Sequence, residues 1–182
     1  ATTALDTIAI GTGAGDAITT AANNVCIGTD AGGAITTGAG NVCIGKGAGD
    51  AITTAANTLA IGLDAAGALT TGADNLAAGK DALLLCTTGT NNVAIGNTAA
   101  DAITTATKCC AIGVDALGLV TTGANNIGIG DAAGNAITTG SGNVIIGQAS
   151  DVAAAADVNS VVIGNAVTSA ANGNVTFGDG TN

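Results

Sequence analysis

The cysteines can take part in more kinds of chemistry than any other residue type in this sequence. A thiolate can act as a nucleophile, bind a soft metal or form a disulfide. Cys26 and Cys43 occupy the same position in two successive repeats of the sequence, Cys109 and Cys110 are adjacent, and Cys86 stands alone. These spacings match none of the paired-cysteine patterns of zinc sites. We therefore interpret all five as small buried hydrophobic residues. A disulfide between Cys26 and Cys43, or between chains, is the alternative interpretation.

Acid–base catalysis has few residues to draw on in this chain. The sequence contains no His, Glu, Arg or Tyr, and its 13 acidic residues are all Asp. General acids and bases are usually His, Glu or Asp, and a catalytic nucleophile needs such a base within hydrogen-bond reach. Because the sequence pattern assembles no nucleophile–base pair, we predict that the chain is not an enzyme and carries no cofactor.

Aspartates recur at two offsets along the chain, which raises the question of calcium binding. The two sets are Asp16, Asp50 and Asp101, and Asp30, Asp64, Asp81 and Asp115. Calcium requires several oxygen ligands converging on one point, and the nine-residue motif of calcium-binding rolls is absent. We interpret these aspartates as turn-capping residues and predict no metal site.

The overall charge excludes two classes of partner. The chain has a formal net charge of −10, and its only cations are Lys46, Lys80 and Lys108. Binding of nucleic acid requires a basic surface stripe, and anionic membrane surfaces attract polybasic segments. The sequence also lacks a run of about 18 apolar residues, the length that spans a bilayer. We predict neither a nucleic-acid partner nor membrane insertion.

Asparagine and threonine recur with a regularity that predicts stacking. The asparagines are Asn24, Asn41, Asn75, Asn92, Asn126 and Asn143, with Asn174 near the end. Amides stacked at the spacing of one strand can hydrogen-bond along the stack, so we predict a structural ladder. Threonine pairs recur from Thr19-Thr20 to Thr138-Thr139. A flat threonine array suggests ice binding, but adjacent residues of a strand point to opposite faces, so we expect only one rank to face outward.

An Ile-Gly pair recurs at a constant interval along the chain. This repeat sets the positions of all of these residues. The isoleucines are Ile10, Ile27, Ile44, Ile61, Ile95, Ile112, Ile129, Ile146 and Ile163, Ala78-Gly79 fills the one gap, and Phe177-Gly178 follows after a shorter step. We call the first residue of each of these pairs the anchor. An apolar residue also lies two positions before each anchor, and this arrangement predicts a short strand with alternate residues facing inward. The glycine suits a turn that needs positive φ or a tight corner.

A second strand is expected in each repeat unit, or coil. It should lie at a recurring four-residue segment, the tetrad, of which Ala17-Ile18-Thr19-Thr20 is the first copy. The sequence therefore predicts an all-β fold: a parallel β-solenoid, or β-roll, of ten 17-residue coils with two short strands per coil. Residues 1–182 form a single repeat array in this prediction, and residues 165–182 form a shortened final coil. A helical repeat is disfavoured, because one such coil is too short for two helices and 30 residues are glycine.

The middle residue of each predicted strand is apolar and usually small, as at Ala60, Ala77 and Ala94. We expect this residue to point outward, where a solvated sheet would carry polar side chains. The pattern therefore predicts that another chain covers this face, and a trimer around a three-fold axis is one solution. The alternative is a monomer in which this alanine-rich face is exposed to solvent.

Two segments carry a resemblance to known repeats. They are Asn92-Val93-Ala94-Ile95-Gly96 and Thr121-Thr122-Gly123-Ala124-Asn125-Asn126. The pattern resembles repeats of phage tail-fibre proteins over about residues 1–178, and is similar to the shorter head repeats of trimeric autotransporter adhesins. That resemblance implies a trimer of left-handed parallel β-rolls outside the cell. The chain departs from the phage repeats in its lack of Tyr and in its cysteines.

Together these patterns predict a structural protein that builds an extracellular fibre by lateral self-association and head-to-tail stacking. In the stacking hypothesis, the end of one chain near Phe177 meets Ala1 of the next, and Phe177 plugs the core at the joint. The alternatives are a phage tail-fibre shaft or receptor-binding segment, and an ice-binding solenoid. A cell-surface or glycan target stays open at this point.

Overall fold

The computed structural model describes residues 6–178 and builds them into one sheet of eleven short parallel strands. The strands are β1 (Ile8–Ile10), β2 (Val25–Ile27), β3 (Val42–Ile44), β4 (Leu59–Ile61), β5 (Leu76–Ala78), β6 (Val93–Ile95), β7 (Cys110–Ile112), β8 (Ile127–Ile129), β9 (Val144–Ile146), β10 (Val161–Gly164) and β11 (Val175–Gly178). Each strand pairs only with its neighbours in sequence order. The predicted all-β parallel β-solenoid of about ten coils is confirmed.

The strand register follows the Ile-Gly repeat. Residues one repeat apart are paired, as in Ala60 with Ala77 and Ala77 with Ala94. Between β10 and β11 the step along the chain is shorter, and Ile163 pairs with Phe177. No helix long and apolar enough to cross a bilayer occurs within residues 6–178.

The predicted second strand of each coil is wrong, because the threonine tetrads form turns. The N–H groups of Thr53, Thr54 and Ala55 all donate to the carbonyl oxygen of Thr70, at N···O distances of 3.0, 3.3 and 3.3 Å. In an extended strand successive N–H groups point in opposite directions, so three that converge on one oxygen mark a bent backbone. The described part of the chain therefore has one sheet, closed by a turn-rich segment.

The prediction that the middle residue of each strand faces outward is also wrong. Ala60, Ala77 and Ala94 are fully buried inside the coil, and the first and third residues of each strand face outward. The turn segment packs directly against the middle position: an added Cβ at Gly128, the middle residue of β8, would be 2.7 Å from the Leu117 side chain. The middle residue is therefore small in most coils, and the larger Ile145 lies where the turn residue nearby is Gly134. These three alanines therefore cannot contact another chain.

The core is filled by residues whose sizes compensate within each coil. Cys26 lies opposite Gly32, where an added Cβ would be 2.7 Å from its Sγ atom. In the coil of Ala77 the residue opposite is Leu83, and the next core position is then the smaller Cys86. A close-packed interior explains this exchange, because extra volume at one position must be removed at another.

The glycine after each anchor is required by both conformation and space. Gly79 has φ of +145°, and a Cβ there would lie 2.2 Å from the carbonyl oxygen of Gly96 in the next coil. L-residues with a side chain rarely adopt such a φ. The expectation of a positive-φ turn at this position is therefore met, and the same geometry recurs from Gly11 to Gly164.

Candidate functional site

The asparagines occupy a buried column immediately before the strands, where they tie each coil to the next. The structure gives each of the six at most 2% exposure: Asn24, Asn41, Asn75, Asn92, Asn126 and Asn143. Asn92 shows the arrangement, since its Oδ1 accepts the N–H of Cys109 at 3.0 Å and its Nδ2 donates to the carbonyl oxygen of Ala106 at 2.9 Å. One side chain thus satisfies two backbone groups of the following coil.

The asparagine ladder runs mainly through the backbone rather than from amide to amide. A direct amide contact occurs where Asn143 Nδ2 donates to Asn126 Oδ1 at 3.1 Å. The sequence interpretation did not include Cys109, which occupies the ladder position after Asn92. Its thiol donates to the carbonyl oxygen of Gly123 at 3.3 Å, so sulfur replaces an amide donor. Its distance of one repeat from Asn92 along the chain is the signal that could have placed it.

Both threonine ranks lie on the outside of the coil, so the expectation that only one faces outward is wrong. The residue that points into the core is the one before each pair, such as Ile52 before Thr53 and Thr54. The hydroxyl of the first threonine donates to the carbonyl oxygen of its equivalent in the next coil, at 3.1 Å from Thr53 to Thr70. This rank therefore adds a second axial ladder, and the second rank is exposed.

Four of the five cysteines are buried, and all five are free thiols in the structure. Cys26 and Cys43 are paired in register within the core. The hydrogen bond with Cys26, followed by burial, raises the pKa of Cys43. Burial raises the pKa of Cys86 to about 11. Because the thiolate is the reactive form, the raised pKa values make Cys43 and Cys86 poor nucleophiles, whereas the hydrogen bond with Cys43 lowers the pKa of the buried Cys26. Cys110 differs, since it lies half-exposed on the outer face of β7.

The aspartates gather into two similar groups on the turns. In the first, desolvation raises the pKa of Asp50, and the charges of Asp64 and Asp30 raise it further. In the second, desolvation raises the pKa of Asp101, with additions from Asp115 and Asp81. Within residues 6–178 no group of three or more His, Cys, Asp or Glu side chains is arranged to hold a metal ion. Desolvation and mutual repulsion of these carboxylates make the stability of the fold depend on pH.

Acidic pH is expected to stabilise the fold. Asp50 and Asp101 bind their protons more tightly when folded because their pKa values are raised, so their contribution is full below the unfolded pKa of 3.8. It is lost as pH rises through the raised values. We expect the melting temperature to fall by a few degrees between about pH 4 and pH 7.

The double variant Asp50→Asn/Asp101→Asn should flatten this dependence when thermal unfolding is followed by circular dichroism. Asp6→Asn/Asp131→Asn removes the same number of charges from exposed positions outside the two groups and serves as the control. A flattening as large in the control as in the test variant would contradict the assignment.

The outer face of the sheet is apolar from end to end. We define the outer strip as the first and third residues of strands β1–β11, from Ile8 and Ile10 to Val175 and Phe177. These are Val, Ile or Leu except for Ala78, Cys110 and Phe177, and none of them is buried. Phe177 is 67% exposed on this strip, so within the described chain it does not plug the core. The predicted joint with Ala1 lies outside the described residues.

Comparison of the chain with protein-family models, with curated proteins and with solved structures found no match.

Proposed function

We propose that the chain is a structural shaft segment of an extracellular fibre. The observation that carries the proposal is the axial bonding, in which three recurring sets of contacts join successive coils. These are the strand pairs, the asparagine ladder and the threonine hydroxyls, illustrated by Ala60 with Ala77, Asn92 to Ala106 and Thr53 to Thr70. Such a stack resists deformation along its axis because neighbouring coils share many identical bonds.

The placement of the reactive side chains supports a structural role over a chemical one. The thiol of Cys86 is buried and its pKa is raised to about 11. The hydroxyl of Thr53 is engaged in an axial hydrogen bond. A side chain committed to holding coils together is not available to attack or bind a substrate.

A phage tail-fibre shaft is the more specific form of this proposal, and the resemblance of the Asn92–Gly96 repeat to phage fibres supports it. We do not extend the proposal to ice binding. The hydroxyls of the first threonine rank already donate to carbonyl oxygens along the stack, as in Thr70 to Thr87 at 3.0 Å. That leaves the second rank alone to order water.

Antibodies raised against the folded chain test the proposal. We expect immunogold particles to lie in rows along thin surface filaments, on virus particles or on the cells that encode the chain. Labelling of virus tails would select the phage form. Pre-incubation of the antibody with purified protein is the control and should remove the rows. Label confined to the cell interior would overturn the proposal.

A further inference from the structure

The outer strip has the composition of a buried surface, although it is exposed in the single chain. Ile61, Ile95 and Ile112 are 40, 39 and 36% exposed, and they lie in one line with the other third residues of the strands. The line of first residues beside it is equally free of charge. Scattered exposed apolar residues are ordinary, but a continuous apolar patch of a few hundred Å² on a soluble chain marks an interaction surface.

We infer that the outer strip binds the outer strip of a second copy of this chain. The inference rests on the proposed function, because a fibre shaft would be built from several such solenoids side by side. It replaces the interface predicted at Ala60, Ala77 and Ala94, which face the core.

The area of the outer strip lies at the low end of the range for specific protein contacts. Eleven strands at about 4.8 Å give a length of roughly 50 Å, and two side-chain columns give a width of about 10 Å. Each chain would then bury roughly 500 Å², and a pair about 1,000 Å² in total, which is the lower bound for specific interfaces. Apolar side chains throughout the contact favour association without a desolvation cost for polar groups.

A second copy fits this surface better than an unrelated partner because both sides have the same period. Two sheets packed face to face lie about 10 Å apart with their strands nearly aligned. The rows of Ile and Val on one copy then meet rows with the same strand spacing on the other. The acidic side chains lie on the turns, outside the outer strip, so the net charge of −10 does not place like charges within the contact.

The chain carries a natural reporter of this contact. Cys110 is the first residue of β7, hence part of the outer strip, and the other four cysteines are buried within the solenoid. An alkylating reagent should therefore modify Cys110 first in dilute protein. If a second copy covers the outer strip, the rate should fall as protein concentration rises. We expect at least a fivefold decrease across a range that spans the dissociation constant, roughly in proportion to the monomer fraction.

Two substitutions in one coil provide the matched test. Ile112→Asp places a charge on the outer strip, and Leu119→Asp places the same charge at a residue of the turn that is 53% exposed. Sedimentation velocity should show a monomer for Ile112→Asp, with Cys110 alkylated at the dilute rate at every concentration. Leu119→Asp should associate as the unaltered chain does. Circular dichroism is expected to show that both variants fold, since both sites are exposed.

Three results would overturn the inference: a concentration-independent alkylation rate, a monomeric unaltered chain, or equal association by the two variants. Concentration-dependent protection of Cys110 combined with antibody label confined to the cell interior would keep the interface and remove the shaft function. Surface filaments labelled by the antibody, together with a monomeric chain, would keep the shaft function and remove the interface.

Discussion

Replacing Ala77 by Asp is expected to unfold most or all of the solenoid. Ala77 is fully buried, and its register partners Ala60 and Ala94 are buried as well, so the new carboxylate would have no water and no partner charge. An unpaired buried charge costs several kcal/mol, and the narrow interior has no room for the larger side chain. We expect a loss of at least about 4 kcal/mol in the free energy of unfolding, measured by urea denaturation.

The adjacent substitution Ala78→Asp is the control for Ala77→Asp. Ala78 is the third residue of β5 and lies on the outer strip between Ile61 and Ile95. Its carboxylate would reach water in the single chain, so the cost should stay below about 1 kcal/mol. Sedimentation should instead show weaker self-association. A larger loss of stability for Ala78→Asp than for Ala77→Asp would mean that the two faces are assigned the wrong way round.

Replacing Asn92 by Ala is expected to weaken the contact between two coils by about 3 kcal/mol. The substitution leaves the N–H of Cys109 and the carbonyl oxygen of Ala106 buried without their side-chain partner. Each unsatisfied buried group costs about 1–3 kcal/mol, and the missing side-chain volume adds to that. Urea denaturation gives the change in free energy, and hydrogen exchange should show faster exchange at Cys109.

Asn97→Ala is the matched control because it removes the same side chain from an exposed turn. We expect it to change stability by less than about 0.5 kcal/mol. If both variants lose the same stability, the asparagine ladder has no special role and the strand pairs hold the coils together.

The spacing of the anchors was enough to predict the strands and their register. Ile61 and Ala78 are one repeat apart in the sequence and are paired in the sheet. A constant spacing constrains a solenoid strongly, because each coil must return to the same place above the last. The glycine turn was predictable for a related reason, since Gly79 needs both positive φ and a close approach to the next coil.

The alternation of residues along a strand could not predict which face of the strand points into the core. In Leu59-Ala60-Ile61 all three residues are apolar, so period-two alternation separates two faces without saying which is inside. Packing within each coil decided the matter. The middle position accepts Ala60 where the turn supplies a large core residue such as Leu69, and it accepts Ile145 where the turn residue nearby is Gly134. Large apolar residues therefore lie both in the core and on the outer face, so size alone does not identify the inner residue.

The turn segment could not be predicted as such because threonine favours strands. Its path depends on residues with positive φ, including Ala66 and Leu83, whose types give no warning of that conformation. Packing of the same residues into the core overrides their local preference. The thiol of Cys109 in the asparagine column is similar, since only the three-dimensional position shows which role its sulfur takes.

Coupling of each coil only to its neighbours makes the length of this protein easy to change during evolution. Each coil contacts only the coils above and below it, so a gene duplication that inserts whole coils leaves every older junction intact. The two aspartate groups, centred on Asp50 and Asp101, are offset by three coils. Copying a block of three coils produces that offset, and each added coil would lengthen the solenoid by about 4.8 Å. Natural variants of such a gene can therefore change the length of the solenoid in discrete increments.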